Sequence, residues 1–355
     1  MTNLSVIVIG RDNQDTITSV VENGLQLGNE VVYVDTGSRD QTLSLGEKAG
    51  AKVIDFPMKE FDYSTPRCIG DKNASNDWVL HLDTDEKIDL AFKPRIDNII
   101  ANPKYHEYKL YQKSVINRVT QNETFLLARL YNHKKLKHKG LVWEVPFPIR
   151  RYGMSDIIIE HHKDLRLKNK KLELRLALER KEIKNIEEGK DLTNRDDLIE
   201  LVSRISSMGL VFCKGESYEA LDLLEKLMEY HRKIEKFSFN DEVSNLELYR
   251  AYINFNLKDI ALGVLHEIEG KNNDYYMYWQ MLGQDYLFLH SNPKCIPYLE
   301  KAINLEENSH SLIMYAIALY NTGRKTESKT ALEKAINILP QDESIKRTYS
   351  SFFSK

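Results

Sequence analysis

Three acidic residues follow an apolar run in the first third of the chain. In the stretch NDWVLHLDTDEKID (76–89), the apolar residues are typical of a buried strand, and Asp83, Asp85 and Glu86 come where that strand would end. Two unit charges about 5 Å apart repel by roughly 3 kcal/mol even at an effective dielectric constant near 20. The acids therefore either lie apart in water, as in an ordinary turn, or surround a cation.

Two further groups of polar residues follow predicted strands nearer the N-terminus. RDN (11–13), which begins with Arg11, comes after the first strand, and DTGSRD (35–40), which begins with Asp35, comes after the second. Ligands of open parallel sheets bind beyond the carboxyl ends of the strands. The sequence therefore predicts one polar site at this edge of the sheet.

Residues 1–165 alternate short β-rich runs with helical runs. This alternation predicts an α/β domain with a Rossmann-like, mainly parallel sheet covered by helices on both faces. The first apolar run has no basic residues before it and no small-residue cleavage site after it, which favours a strand over a signal peptide. No stretch reaches the roughly 18 apolar residues of a membrane helix. We therefore expect a cytoplasmic protein without a transmembrane segment.

The remainder of the chain is predicted to be helical. Residues 166–197 are expected to form a connecting helix and a polar hinge, and residues 198–355 a repeat domain. The hexapeptide LEKAIN occurs at 299–304 and again, 33 residues later, at 332–337. Tetratricopeptide repeats recur every 34 residues or so as helix pairs. The spacing favours such a repeat domain over an ordinary helical bundle with a chance duplication.

Charge and cysteine content argue against nucleic-acid-binding, disulfide-rich and zinc-binding proteins. The net charge of −3 gives no reason to expect nucleic-acid binding. The three cysteines, Cys68, Cys213 and Cys295, are far apart and form no CxxC pair. Their spacing argues against a disulfide framework and against a zinc site, and it favours a reducing compartment.

The motifs of the first half, in their order along the chain, resemble family 2 of the inverting glycosyltransferases, which have the GT-A fold. The resemblance covers about residues 3–165 and rests on SVIVIGRDN, VVYVDTGSRDQT, Arg67 and WVLHLDTDE. It implies that Asp35 contacts the nucleotide base, with a turn or N-cap role as the alternative. It implies that Arg67 contacts the nucleotide, with a surface charge as the alternative. It also implies that Asp83 contacts the ribose and Asp85 the divalent metal.

The expected chemistry is the transfer of a hexose, most simply glucose, from a UDP-sugar. Arg11 is assigned to the same nucleotide-sugar site. Breaking the anomeric bond adds negative charge to the diphosphate, which Mn²⁺ or Mg²⁺ held by carboxylate oxygens would neutralise. The cation would also remove the repulsion among the acids. The alternative for Asp83 and Asp85 is a solvated turn at the end of the strand.

A later stretch, LARLYNHKKLKHKGLVWEVPF (127–147), resembles the R-x-F … F-H-G-x-V-H-E segment of a subgroup of these enzymes. His138 and Gly140 correspond to its H-G. Glu144 corresponds to its last glutamate and is the predicted catalytic base, which takes the proton of the acceptor. Trp143 stands where the subgroup has histidine. It is assigned to an apolar wall for the sugar, with a place in the core as the alternative.

A further predicted strand, IIIEHHKD (157–164), also ends in polar residues. The resemblance implies a third metal ligand here, His161, with His162 as the alternative. Neighbouring residues of a strand face opposite sides, so both are not expected to reach one ion. An imidazole beside two carboxylates is a suitable ligand set for manganese.

The combination of the two domains is similar to the sublancin-type peptide S-glycosyltransferases. This similarity implies transfer to a Cys or Ser of a peptide, such as a bacteriocin precursor, which the repeats would bind; the repeats could instead mediate homo-oligomer formation. One alternative is transfer to a polysaccharide or a lipid-linked acceptor. Another is a non-catalytic repeat scaffold.

Overall fold

The apolar runs of the first half pair into one eight-stranded sheet in the order β3-β2-β1-β4-β7-β6-β10-β5. The structure is a computed structural model that describes residues 3–58, 62–116, 119–140, 145–162, 170–189, 192–212, 218–237, 241–269, 271, 273–288, 293–340 and 342–353. The strands are β1 Leu4–Gly10, β2 Glu30–Asp35, β3 Lys52–Asp55, β4 Trp78–Asp83, β5 Glu86–Ile88, β6 Glu107–Ile116, β7 Val119–Asn132, β8 Lys137–Lys139, β9 Val145–Phe147 and β10 Gly153–His162.

Four of the seven pairings in this sheet are parallel, and three are antiparallel. The parallel pairings of β1 with β2 and β4 follow from the helical crossovers between these strands, whereas the close succession of β6 and β7 permits an antiparallel pair. Strands β8 and β9 form a separate two-stranded sheet. The helices of this half are α1 Ile17–Leu27, α2 Thr42–Lys48, α3 Ser64–Asn73 and α4 Lys93–Ala101, with a 3₁₀ turn at Leu90–Phe92 before α4.

Close packing of α3 on the sheet fixes the position of that helix. A Cβ atom at Gly70 would lie 2.2 Å from Cγ2 of Ile7, so only glycine lets α3 approach β1 this closely. Ile7 belongs to a buried apolar cluster with Ile9, Val32, Val34, Val79, Tyr131 and Leu136. Arg67, about one turn before Gly70 on α3, is thereby held beneath the sheet edge that carries the acids.

Helices make up the rest of the described chain. They are α5 Lys170–Gly189, α6 Arg195–Phe212, α7 Tyr218–Lys236, α8 Glu242–Asn254, α9 Lys258–His266, α10 Tyr276–Phe288, α11 Cys295–Leu305, α12 Ser309–Asn321, α13 Lys325–Ile338 and α14 Glu343–Phe353. In the part of the chain that the structure describes, none of them is long and apolar enough to cross a membrane.

The duplicated hexapeptide occupies equivalent positions in successive helix pairs. One copy lies on α11 and the other on α13, and in both the leucine and the alanine are fully buried (Leu299 and Ala302, Leu332 and Ala335). A Cβ at Gly283 of α10 would lie 2.6 Å from Cγ of Leu299, which shows how closely the first pair packs. The predicted fold class, an α/β domain followed by tetratricopeptide-like helices, is confirmed.

The backbone forms two compact units, residues 1–185 and 186–355, and α5 spans the division. Residues 190 and 191 of the expected hinge lie outside the described residues. The domain limits expected near residues 165 and 197 stay predictions.

Candidate functional site

The ends of β1, β2 and β4 bring the three predicted polar groups to one edge of the sheet. In the parallel register, Gly10 lies opposite Asp35 and Ile9 lies opposite Asp83. The loops beyond the strands also touch, since a Cβ at Gly10 would lie 2.5 Å from Cγ2 of Thr84. Asp35 and Asp83 therefore flank the end of β1.

Two arginines neutralise Asp83. The side chain of Arg67, which is 2% exposed, donates through Nη2 to Oδ1 of Asp83 at 3.0 Å. Arg129 of β7 donates through Nη2 to Oδ2 at 2.9 Å. Desolvation raises the pKa of the Asp83 carboxyl, but the charges and hydrogen bonds of Arg129 and Arg67 outweigh it and hold that pKa well below its usual range. Asp83 is therefore a carboxylate at any physiological pH.

Glu86 is a buried structural acid. Its Oε1 accepts hydrogen bonds from Nη2 of Arg129 at 3.0 Å and Nε2 of Gln112 at 2.5 Å, and its Oε2 accepts one from the backbone N–H of Asp83 at 2.9 Å. Burial raises the pKa of Glu86 in spite of the arginine. Both oxygens of Glu86 are thus used by contacts within the protein, which stabilise the turn between β4 and β5.

Arg129, which is not among the predicted site residues, contacts both Asp83 and Glu86. It comes 46 residues after Asp83 along the chain, and the antiparallel pairing of β7 with β4 brings the two together. Two signals for it stand in the sequence: a charged residue inside the otherwise apolar run FLLARL, and the arginine of the R-x-F resemblance, to which no role was assigned. A buried cation of this kind is found where it has an acidic partner.

Asp85 lies beside His161, as expected for a pair of metal ligands. Oδ2 of Asp85 is 3.1 Å from Nε2 of His161, and their side chains are 42% and 23% exposed. Desolvation lowers the pKa of His161, but the hydrogen bond and the charge of Asp85 raise it overall. His162 is instead paired with Glu160 at 3.5 Å. Of the two candidate histidines, only His161 has its imidazole at the Asp85 carboxylate; His162 contacts Asp85 through the backbone, its N–H donating to the Asp85 carbonyl at 2.8 Å.

The spacing of this pair fits a hard divalent cation. An octahedral ion with ligands at about 2.1 Å has neighbouring ligand atoms about 3 Å apart. The carboxylate oxygen and imidazole nitrogen already have that separation, and they lie on the short turn after β4 and at the end of β10. Asp85 and His161 could therefore hold Mn²⁺ or Mg²⁺ with little rearrangement.

Asp35 shapes the loop after β2. Its buried carboxylate accepts hydrogen bonds from the backbone N–H groups of Gly37 and Ser38 at 2.8 and 2.6 Å, from Oγ of Ser38 at 2.5 Å and from the hydroxyl of Tyr33 at 2.8 Å. Gly37 has φ +107°, a conformation that favours glycine. The predicted contact of Asp35 with a nucleotide base stays a prediction.

The loop after β1 is tied to the loop after β2. The backbone N–H of Asp12 donates to Oγ of Ser38 at 2.8 Å, and Oδ1 of Asp12 accepts from the backbone N–H of Arg39 at 2.8 Å. Arg11 lies in the same loop, with its side chain half exposed and 3.6 Å from Asp12. Its guanidinium lies at the rim of the candidate site.

A buried polar layer positions Arg67 from behind. Because an arginine only donates, Nδ1 of His81 accepts from Nη1 of Arg67 at 3.4 Å, and Nε2 of His81 therefore donates to Asp71 at 2.8 Å. Desolvation and the two site arginines hold the pKa of His81 far below its usual value, so it stays neutral. Tyr131 donates to the other oxygen of Asp71 at 2.6 Å, and the ring of His138 packs 4.9 Å from that of His81. His138 therefore lies in this buried layer.

Trp143 and Glu144 lie within residues 141–144, outside the described residues. Their assigned roles, a wall for the sugar and the catalytic base, stay predictions. Gly140, the last described residue before them, has φ +108° and ends the segment that contains His138.

The chain is similar to proteins of two kinds, glycosyltransferases and TPR proteins. No family model matches. An uncharacterized glycosyltransferase of Rickettsia conorii is 28% identical over 138 residues, which is 37% of this chain and 48% of the relative. A TPR repeat-containing protein of Synechococcus elongatus is 32% identical over 104 residues, 29% of this chain and 26% of the relative. The chain spans about half the length of the Rickettsia relatives it matches.

Solved structures of both kinds are also similar to parts of this chain. A thermophilic TPR protein of Thermus thermophilus matches 52% of this chain and 91% of its own, with 21% identity and a TM-score of 0.37. Glucosyl-3-phosphoglycerate synthase of Mycobacterium tuberculosis, in complex with Mn²⁺, UDP and glucosyl-3-phosphoglycerate, matches 31% of this chain and 43% of its own, with 20% identity and a TM-score of 0.27.

Replacing Arg129 by methionine is expected to destabilise the fold strongly. The substitution leaves Glu86 buried without its cation and takes one of two arginines from Asp83, a loss of about 3–5 kcal/mol in the free energy of unfolding. Chemical denaturation measures it. Arg11→Met is the matched control, because its exposed ion pair contributes at most about 1 kcal/mol. Equal unfolding midpoints for the two variants would contradict the role given to Arg129.

The pH dependence of the unfolding free energy should reveal the raised pKa of Asp71. Burial raises its pKa to about 6, so the folded chain binds this proton more tightly than the unfolded chain does. Its contribution is present in full below about pH 4 and is lost as the pH rises through 6, by about 3 kcal/mol in all. Relative to Asp71→Asn, the unfolding free energy of the unmodified chain should therefore fall between pH 4 and pH 7. Parallel profiles for the two proteins would show that Asp71 does not titrate in this way.

Proposed function

We propose that the chain is a metal-dependent, inverting glycosyltransferase that moves a hexose from a UDP-sugar, most simply UDP-glucose, to a peptide. The single observation that carries the proposal is the Asp85–His161 pair, 3.1 Å apart and accessible, beside an Asp83 that two arginines keep ionised. The Rickettsia relatives, which are named glycosyltransferases, support the reaction class.

Asp85 and His161 would hold the divalent cation, Mn²⁺ or Mg²⁺. When bound, that ion supplies positive charge against which the diphosphate leaving group develops its negative charge. Arg67 and Arg129 fix the position of the Asp83 carboxylate. In that position it would accept hydrogen bonds from the ribose hydroxyls. The same arginines prevent Asp83 from being protonated, so it remains an acceptor throughout the reaction.

The nucleotide would lie across the loops after β1 and β2. Their mutual hydrogen bonds, from the Asp12 N–H to Ser38 and from the Arg39 N–H to the Asp12 carboxylate, hold these loops in one shape before any ligand binds. Such preorganisation reduces the entropy that binding must remove. Asp35 is assigned to the base and Arg11 to the nucleotide sugar.

Acceptor activation is assigned to Glu144, which would take a proton from the acceptor on the face opposite the leaving group. Trp143 would form an apolar wall for the sugar. The helical unit is assigned to the acceptor, since stacked helix pairs present extended surfaces for peptides. A cysteine or serine of a small precursor peptide is the proposed site of transfer.

Nucleotide release from a panel of UDP-sugars, with Mn²⁺ and then with excess chelator, tests the reaction class. Asp85→Ala and His161→Ala should each reduce metal-dependent release by about 10²-fold or more, since each removes part of several kcal/mol of charge stabilisation. His162→Ala is the control and should retain activity, because the His162 side chain pairs with Glu160, and its contact with Asp85 is a backbone hydrogen bond that the substitution keeps. If Asp85→Ala released nucleotide as fast as His162→Ala, the proposal that Asp85 binds the metal used in the reaction would be wrong.

Glu144→Gln is expected to lower turnover by about 10²- to 10⁴-fold while donor binding is unchanged, because only proton removal is lost. Turnover is measured with acceptor peptides that carry either serine or cysteine. The loss should be smaller for cysteine, whose thiol is already partly ionised near neutral pH. Unchanged turnover with both peptides would exclude Glu144 as the base. Transfer to lipid-linked or polysaccharide acceptors, with none to either peptide, would exclude a peptide as the acceptor.

A further inference from the structure

A second cluster of potential metal ligands lies in the helical unit, apart from the candidate site of the sheet. Nε2 of His231 is 3.9 Å from Oε1 of Glu235, one turn further along α7, and 3.6 Å from Oε1 of Glu267, which follows α9. One ligand atom from each residue lies within 4.8 Å of the others. The three side chains come from two helices and converge on one point.

The imidazole of His231 is oriented by a contact on its far side. Its Nδ1 is hydrogen bonded to the hydroxyl of Tyr252 on α8 at 2.9 Å, and the two rings pack with centroids 5.6 Å apart. Its Nε2 is shielded from solvent and makes no hydrogen bond within the part of the chain that the structure describes. A shielded nitrogen without a partner is costly, and a metal ion would satisfy it.

Glu267 is also held from behind. Its second oxygen, Oε2, lies 3.4 Å from Nδ2 of Asn245, a fully buried residue of α8 whose amide also donates to the backbone carbonyl of Val264 at 2.6 Å. Histidine and carboxylate ligands of metal sites typically have such outer contacts, which fix their orientation. Tyr252 and Asn245 therefore supply from α8 the support that ligands on α7 and α9 would need.

The ligand separations fit a tetrahedral ion. Zn²⁺ binds imidazole nitrogen and carboxylate oxygen at about 2.0–2.2 Å, which places neighbouring ligand atoms about 3.4 Å apart. The observed 3.6 and 3.9 Å from the imidazole require movements of only a few tenths of an ångström. The two glutamate oxygens lie within 4.8 Å of each other, and Glu235, whose side chain is half exposed, would close the remaining gap. At these separations neither glutamate makes an ordinary hydrogen bond to the imidazole.

We propose that His231, Glu235 and Glu267 bind a divalent transition-metal ion, with Zn²⁺ as its best-fitting probe, and that this ion joins α7 to α9. Three protein ligands leave one tetrahedral position for water or for a group of a bound partner. The site contains no cysteine, so the cysteine spacing of the sequence gave no sign of it. The competing account is an imidazolium between two glutamates, which needs no metal.

The test uses the full chain with Asp85→Ala, so that the candidate site of the sheet does not add to the signal. Zn²⁺ is titrated in competition with a chromophoric chelator, and one ion per chain is expected. Adding Glu235→Gln should weaken this binding by at least about 10-fold. The matched control is Glu229→Gln, a similarly exposed acid on α7 that pairs with Lys233, and it should leave the affinity unchanged.

Circular dichroism establishes that each variant is folded. We expect Glu235→Gln to fold, because the Glu235 side chain is half exposed. His231→Gln should also abolish the bound ion while the spectrum is retained. Equal zinc affinity in the Glu235→Gln and Glu229→Gln chains would overturn the proposal. So would the absence of zinc binding in the Asp85→Ala chain, which would leave the imidazolium account.

Discussion

Neutralisation of the acids at the end of β4 is the constraint on which the rest of the α/β unit depends. Asp83 and Glu86 are close together because Glu86 accepts the backbone N–H of Asp83, and without cations this arrangement would be costly. Arg129 contacts both acids and Arg67 contacts one, so the protein itself supplies the charge. Asp85 is left facing His161 at the accessible edge, which is the proposed site of the external cation.

The position of the two arginines at the sheet edge depends on the packing of α3 and on buried polar residues next to it. Arg67 needs α3 to lie directly on β1, which Gly70 permits, and it needs a neutral acceptor behind it, which His81 provides. The buried layer around Asp71 keeps His81 in the required tautomer, since its Nε2 must donate to that carboxyl. Core packing and site electrostatics are therefore parts of one arrangement, and a change in the core should alter the charge distribution of the site.

Much of this arrangement could be predicted from residue types and order. Asp85 and His161 were predicted as a metal pair, and the antiparallel pairing of β5 with β10, which places Glu86 opposite His161, brings them together. The LEKAIN duplication predicted equivalent buried positions in successive helix pairs. The arginine of the R-x-F resemblance falls on Arg129, but its contacts with Asp83 and Glu86 could not be predicted, because they depend on an antiparallel pairing across the sheet that no local pattern reveals. The same limit applies to His231, whose neighbours are brought together by the packing of three helices.

The central claim is that the Asp85–His161 edge binds a cation together with a nucleoside diphosphate. Calorimetric titration of UDP into the full chain, with Mn²⁺ and then with excess chelator, tests it most directly. The account predicts that UDP binds with Mn²⁺ and that the affinity falls by at least about 10-fold with chelator, because the diphosphate then loses its counter-charge. Equal affinity under both conditions, or no binding in either, would contradict it.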